Sequence, residues 1–156
     1  YGYAMATALH YAPSKEEASE VWNDAFLKIF QSLHQFDMSK SFKPWLSRIV
    51  VNTAISRYRK EKKHLYQTDI EDAHYLPLDE SALDILSAEE IIGMLQQLPE
   101  IYRITFNMYE LEGFSHREIA ESLGVTESTS RSNLSRAKSK LQAILKKNDI
   151  HERAKL

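Results

Sequence analysis

The chain has 156 residues, with 20 Lys and Arg against 22 Asp and Glu, a net charge of −2 and a pI near 6.3. It has no cysteine, which excludes a disulfide framework and a thiolate zinc site and fits an intracellular protein. No apolar run reaches about 18 residues and no secretory signal is visible, so no membrane insertion is expected; with four Gly, four Pro and only short β-branched runs, the expectation is an all-α chain.

The chain opens on Tyr1 rather than Met, as a fragment or a processed chain would. Ser14 and Glu17 have capping-box spacing and open a helix expected from about residue 15 to 34. Val21, Trp22, Ala25, Phe26, Ile29, Phe30 and Leu33 then predict a wide buried stripe. Each large side chain so buried contributes roughly 1.5–3 kcal/mol. Glu20, Asn23, Asp24, Lys28 and Gln31 form the other face. Residues 34–42 are expected as a loop, and Pro44 suits the first turn of a helix from about 43 to 63. That helix starts apolar (Trp45, Leu46, Ile49, Val50, Ala54, Ile55) and ends strongly basic.

Around this helix aromatic and cationic residues interleave: Phe42, Lys43, Trp45, Arg48, Arg57, Tyr58, Arg59 and Lys60. Aromatic faces stack on unpaired bases at about 1–3 kcal/mol each, while Lys and Arg neutralise phosphates, so the block suits single-stranded or melted DNA. Trp45 falls in the apolar stripe and is better explained as core, whereas Arg57, Arg59 and Lys60 favour the DNA reading. Asn52, taken alone, is an ordinary solvent-facing amide.

From 64 to 86 apolar periodicity fades and acids accumulate, predicting a linker with at most a short helix near Leu83–Leu86. Ser87 and Glu90 make a capping box before the next helix, which Pro99 ends; another helix follows from about 100 to 111 and stops at Gly113. The domains are thus expected at 1–63 and 87–147, with a linker at 64–86 and a tail at 148–156.

Residues 112–141 have the pattern of a helix-turn-helix. Ser115 and Glu118 form another capping box, Ile119, Ala120 and Leu123 give one apolar stripe, and Gly124 stands where a helix end wants a left-handed residue. Thr126 caps a second helix whose apolar positions are Leu134, Ala137, Leu141 and Ile144. Its other face carries Ser128, Arg131, Ser132, Ser135 and Lys138, donors and cations suited to a major groove. A solvated helical hairpin is the plainer alternative. Against it, residues 128–147 hold six Lys or Arg and no acid.

The small net charge conceals segregation. Residues 40–63 carry +7, residues 64–90 carry −8 and residues 128–147 carry +6. Two polyanion contacts joined by an acidic linker fit this pattern.

With these motifs in view, the chain resembles the extracytoplasmic-function (ECF) sigma factors of bacterial RNA polymerase. The resemblance rests on EASEVWNDAFLKIF (17–30), on QFDMSKSFKPWLSRIVVNTAISRYRK (35–60) and on the run LPEIYRITFNMYELEGFSHREIAESLGVTESTSRSNLSRAKSKL (98–141). It covers nearly the whole chain and implies two small helical domains, sigma domain 2 and sigma domain 4. It implies that Glu20, Asn23, Asp24 and Lys28 dock on the clamp helices of the largest polymerase subunit. Lys43, Arg48, Asn52, Arg57, Arg59 and Lys60 would meet the melted −10 strand, with Asn52 near a flipped-out base. Ser128, Arg131, Ser132, Ser135, Arg136 and Lys138 would read the −35 duplex, Arg131 and Ser132 at base edges and Arg136 and Lys138 at phosphates. The acidic linker would thread towards the RNA exit path.

The implied partners are core RNA polymerase, promoter DNA and an anti-sigma factor, in the cytoplasm, with no cofactor. Departures from the family pattern qualify this. Asn23 replaces a usual Gln, Val51 and Ser56 replace a frequent Arg and Asp, Asn133 replaces a common Arg, and Ser130 occupies a usually aliphatic slot, which should loosen packing. The family's first helix normally starts before this chain does, so domain 2 is expected to be incomplete. Other classes compete less well. A stand-alone helix-turn-helix regulator would account for the C-terminal motif but not for the Phe-Lys-Pro-Trp-Leu block. The six His are scattered without ligand spacing, Glu110 and Glu112 look like a solvated helix end, and no phosphate loop appears, so an enzyme is not expected.

Overall fold

The computed structural model of the chain describes residues 2–62 and 87–153, with side chains as far as Asn148. The acidic linker and the short helix expected near Leu83–Leu86 lie outside the described residues. All regular structure among the described residues is helical, and the chain divides into two compact units, Tyr1–Thr68 and Asp69–Leu156.

The first unit packs three helices, α1 (Gly2–Tyr11), α2 (Lys15–Ser32) and α3 (Phe42–Lys62), with a 3-10 turn at Leu33–Gln35 after α2. Sequence periodicity does not reveal α1, because its inward positions are small or polar: Ala4, Thr7, Ala8 and Tyr11. The start of α2 is held by Ser14, whose hydroxyl accepts the Glu17 amide at 3.2 Å. Its buried line is Ala18, Val21, Ala25 and Ile29, facing Val50, Val51, Ala54, Ile55 and Tyr58 of α3. Ala8, Ala18 and Ala25 are fully enclosed, so the backbones approach closely and the seam is narrow. This corrects the wide stripe expected on α2. Trp22 is half-buried, while Phe26, Phe30 and Leu33 are 51%, 73% and 49% exposed, because α1 and α3 cover only one face of the helix.

In the second unit α4 (Ala88–Gln96) begins in a complete Ser87–Glu90 capping box. Leu98 and Pro99 turn the chain into α5 (Glu100–Phe106), where the Tyr102 and Arg103 amides both return to the Pro99 carbonyl at 3.0 Å. A π-helical segment, Asn107–Leu111, continues α5, with the Glu112 amide bonded to the Asn107 carbonyl at 3.1 Å. The helices α6 (His116–Leu123) and α7 (Glu127–Arg153) follow. The core joins Met94, Leu95 and Leu98 to Ala137 and Leu141, with Ile91, Tyr102, Phe106, Ile144 and Leu145 packed around them. Ile104, Met108, Ile119 and Leu134 are buried in the same unit. Arg103 is 1% exposed and donates to the Leu98 carbonyl at 3.3 Å, so a cation sits within this core.

Candidate nucleic-acid interface

The turn between α6 and α7 is built from the residues the sequence singles out. The Ser115 amide donates to Glu118 at 2.8 Å, and the Glu118 amide returns to the Ser115 hydroxyl at 3.3 Å. Gly124 has φ 70°, a conformation costly to a side chain, and its amide closes on Ala120 at 2.9 Å. Thr126 caps α7 by accepting the Thr129 amide at 3.1 Å. Leu134, Ala137 and Leu141 then face inward, which leaves Ser128 and Arg131 exposed and Ser132, Ser135 and Arg136 half-buried along the outer flank.

Two charges on this face, Arg131 and Lys138, are already paired, and a third, Arg136, is partly buried. Arg131 donates to Glu127, one turn back, at 2.8 Å. Lys138 is drawn to Glu110 of the π segment at 2.7 Å, with both side chains largely covered. Glu110 is therefore not the merely solvated helix end that the sequence implied. The Arg136 Nε is buried and makes no hydrogen bond.

Two departures from the family pattern also change meaning. Ser130 is fully buried, and its hydroxyl lies 3.0 Å from His116 Nδ1, so the slot holds a polar tie between α6 and α7 rather than loose packing. Asn133 is 4% exposed, because the phase of α7 turns it inward beside Leu134; it does not leave a gap on the groove face. The His116 ring stacks on Tyr109 with centroids 4.6 Å apart. Burial, and secondarily the Arg131 charge, hold this imidazole below its ordinary pKa against the pull of Glu127.

In the first unit the loop before α3 is organised by aromatic rings. Phe36, Phe42 and Trp45 form a triangle with centroids 5.0 to 5.5 Å apart, so Trp45 belongs to a half-exposed cluster rather than to the core. Asp37 accepts the Ser39 amide at 3.0 Å and its hydroxyl at 2.7 Å, bonds that hold the carboxyl below its usual range. Met38, at the tip, is 88% exposed. Along α3, Lys43, Arg48, Asn52, Arg59 and Lys60 are exposed. Val51 is fully buried, so the position that departs from a frequent Arg is a core position here.

Arg57 differs from its neighbours. Its guanidinium reaches across to α2, where Nη1 meets Asp24 at 3.0 Å and Nη2 bonds Glu20. These hydrogen bonds and charges raise its pKa over the opposing effect of burial. Residues expected on two different surfaces are thus brought together. Beside them, Lys28 donates to Thr53 at 3.1 Å, and Asn23 is exposed. The same stretch of α2 presents Phe26, Leu27, Phe30 and Leu33 to solvent, an apolar patch of the kind that marks a contact surface. The Glu127–Arg131 pair was legible as an i,i+4 spacing; the Arg57 and Lys138 pairs join distant elements and leave no local signal.

No group of three His, Cys, Asp or Glu that could hold a metal is found among the described residues. No helix among them is long and apolar enough to cross a membrane.

Comparison with known proteins covers both units. Residues 1–64 match the family described as Sigma-70 region 2, and residues 88–141 match Sigma-70, region 4. The RNA polymerase sigma-H factor of Pseudomonas aeruginosa is 29% identical over 153 residues, covering 90% of this chain and 79% of that protein. The ECF RNA polymerase sigma factor SigM of Bacillus subtilis is 27% identical over 138 residues, covering 87% and 84%. Among solved structures, the sigma factor RpoE of Bartonella quintana, in complex with the anti-sigma factor NepR, is similar with a TM-score of 0.56 at 25% identity. The likeness covers 92% of this chain and 89% of that one.

Proposed function

The chain belongs to the ECF sigma factors of the sigma-70 family, and from that premise we propose how its two units divide the work. A sigma factor directs core RNA polymerase to promoters and is a non-catalytic initiation factor. The proposal assigns residues 1–63 to core docking and the −10 element, and residues 87–147 to the −35 element, with 64–86 as the link. It places the work in the cytoplasm and leaves all bond-forming chemistry to the polymerase.

For the −35 duplex, the outer flank of α7 lies in the major groove. Arg131 and Ser132 meet base edges, Ser128 and Ser135 lie beside them, and Arg136 and Lys138 approach phosphates. Glu127 sets the starting orientation of Arg131, and Lys138 exchanges Glu110 for a phosphate. The observation that carries this reading is a fully capped helix-turn-helix whose second helix turns Arg131 outward.

For the −10 strand, the Phe36–Phe42–Trp45 cluster fixes the loop that precedes α3. Lys43, Arg48, Arg59 and Lys60 supply charge, and Asn52 lies on the exposed side near a flipped base. For core docking, Glu20, Asn23, Asp24 and Lys28 act with the adjoining exposed Phe26 and Phe30. An anti-sigma factor, such as the one solved with the Bartonella quintana protein, is the expected regulator.

Two measurements test the assignment. Arg131→Ala is expected to weaken −35 duplex binding and reduce discrimination by about 1–3 kcal/mol. An equal loss on every sequence would make Arg131 a phosphate contact. Asp24→Arg is expected to abolish core binding with the helical signal intact, and retained affinity would remove Asp24 from the docking face.

A further inference from the structure

We propose that Arg57 is a positioning residue for core polymerase docking, holding the Asp24 and Glu20 carboxylates in one orientation on α2, and is not itself a contact to the −10 strand. This rests on the reading of that α2 face as the docking surface.

Glu20 and Asp24 are four residues apart on one helix face and carry the same charge, so left alone they repel and sample several rotamers. Arg57 removes both difficulties. One terminal nitrogen takes Asp24 at 3.0 Å and the other takes Glu20, a bridge that the planar guanidinium makes and a lysine ammonium makes poorly. The Arg57 side chain is 28% exposed and lies in the cleft between α2 and α3, where Lys28, pinned on Thr53, forms the next part of the wall. Arg59, two residues on, is exposed, and Lys60, three residues on, is exposed at the rim of the same cleft. The basic end of α3 is therefore divided: one cation is committed to α2, and its neighbours remain available to a phosphate chain. A docking partner that recognises the two carboxylates meets them already ordered, which lowers the cost of association.

The test is the affinity of the full chain for core polymerase, read for R57A, R57K, E20Q/D24N and the triple variant, with helical signal and melting curve recorded for each. R57A is expected to weaken core binding about five- to twentyfold, the range for residues sharing one charged network, and R57K to restore only part. On the E20Q/D24N background R57A is expected to change affinity less than about twofold, because its partners are already gone. Single-stranded −10 DNA binding by the core-bound R57A protein is expected to stay within the same margin.

A full additional loss in the triple variant, or a lost −10 contact, would overturn the proposal by giving Arg57 a contact of its own. Weak binding of E20Q/D24N with normal binding of R57A would refute the positioning role and leave the docking face standing. Normal binding of E20Q/D24N would remove both. Should R57A lower the melting transition, R57Q carries the same comparison, since it keeps one hydrogen bond and loses the bridge.

Discussion

Ser130→Ala gives the sharpest check on how the helix-turn-helix is held. The hydroxyl is fully enclosed and bonded to His116 at 3.0 Å, and its loss removes a neutral hydrogen bond worth about 0.5–1.5 kcal/mol net. The imidazole is only half-buried and can turn to water, so the larger penalty of a stranded polar group is not incurred. His116→Ala removes the same bond and also the stack on Tyr109, worth about 0.5–1.5 kcal/mol, for roughly 2 kcal/mol together. The double variant should then cost little more than His116→Ala alone, a coupling of about 1 kcal/mol.

Urea unfolding reads this cleanly, because both tryptophans, Trp22 and Trp45, lie in the first unit. Fluorescence reports that unit alone, while the far-ultraviolet helical signal reports both. The helical transition should move and the fluorescence transition should not. Additive losses from the two single variants would refute the tie, and a shifted fluorescence curve would refute its confinement to the second unit.

Three further outcomes are expected. His116 and His10 both have pKa values depressed by burial, so the unfolded chain takes up protons first; stability is full above the ordinary histidine value of 6.5 and is lost as pH falls through the lower folded values. Unfolding read between about pH 8 and about pH 5 should show this slope, with His116→Gln flattening it in the helical transition only. Ala25→Leu forces a large side chain into a fully closed seam and should cost about 1–3 kcal/mol, seen in tryptophan fluorescence; a neutral result would mean the helices can separate. Gly124→Ala imposes a left-handed side chain at φ 70° and should cost about 1 kcal/mol in the helical transition, unless the turn rebuilds.

Much of this was legible because local rules wrote it. The N-cap serines, the left-handed Gly124 and the apolar steps of α6 and α7 are short-range patterns found where their spacing places them, although only Ser87 and Ser115 close the full capping box and Ser14 caps α2 without a returning bond from Glu17. Helix α1 was missed because alanines and a threonine pack as well as leucines but make no apolar stripe. The breadth of the buried face on α2 was overread for the complementary reason: Phe26 and Phe30 are apolar, and periodicity cannot tell a core stripe from an exposed patch. Among the candidate site residues, sequence identified which side chains carry charge but not which were already engaged. Arg57 and Lys138 meet partners 33 and 28 residues away, and such pairings follow from the packing of whole helices.

The π-helical segment makes the length of the chain at residues 107–111 matter as much as its composition. It houses one residue more than an α-helical turn would, and that extra residue sets the direction in which Tyr109 and Glu110 project. Substituting either removes one link, to His116 or to Lys138. Deleting one residue there would close the wide turn into an ordinary α-helical one, leave the downstream chain near its present phase, and re-aim the side chains at 109 and 110, so that both links are lost at once. An insertion or deletion in this short stretch therefore costs contacts that a substitution would spare, although Tyr109 and Leu111 are themselves exposed.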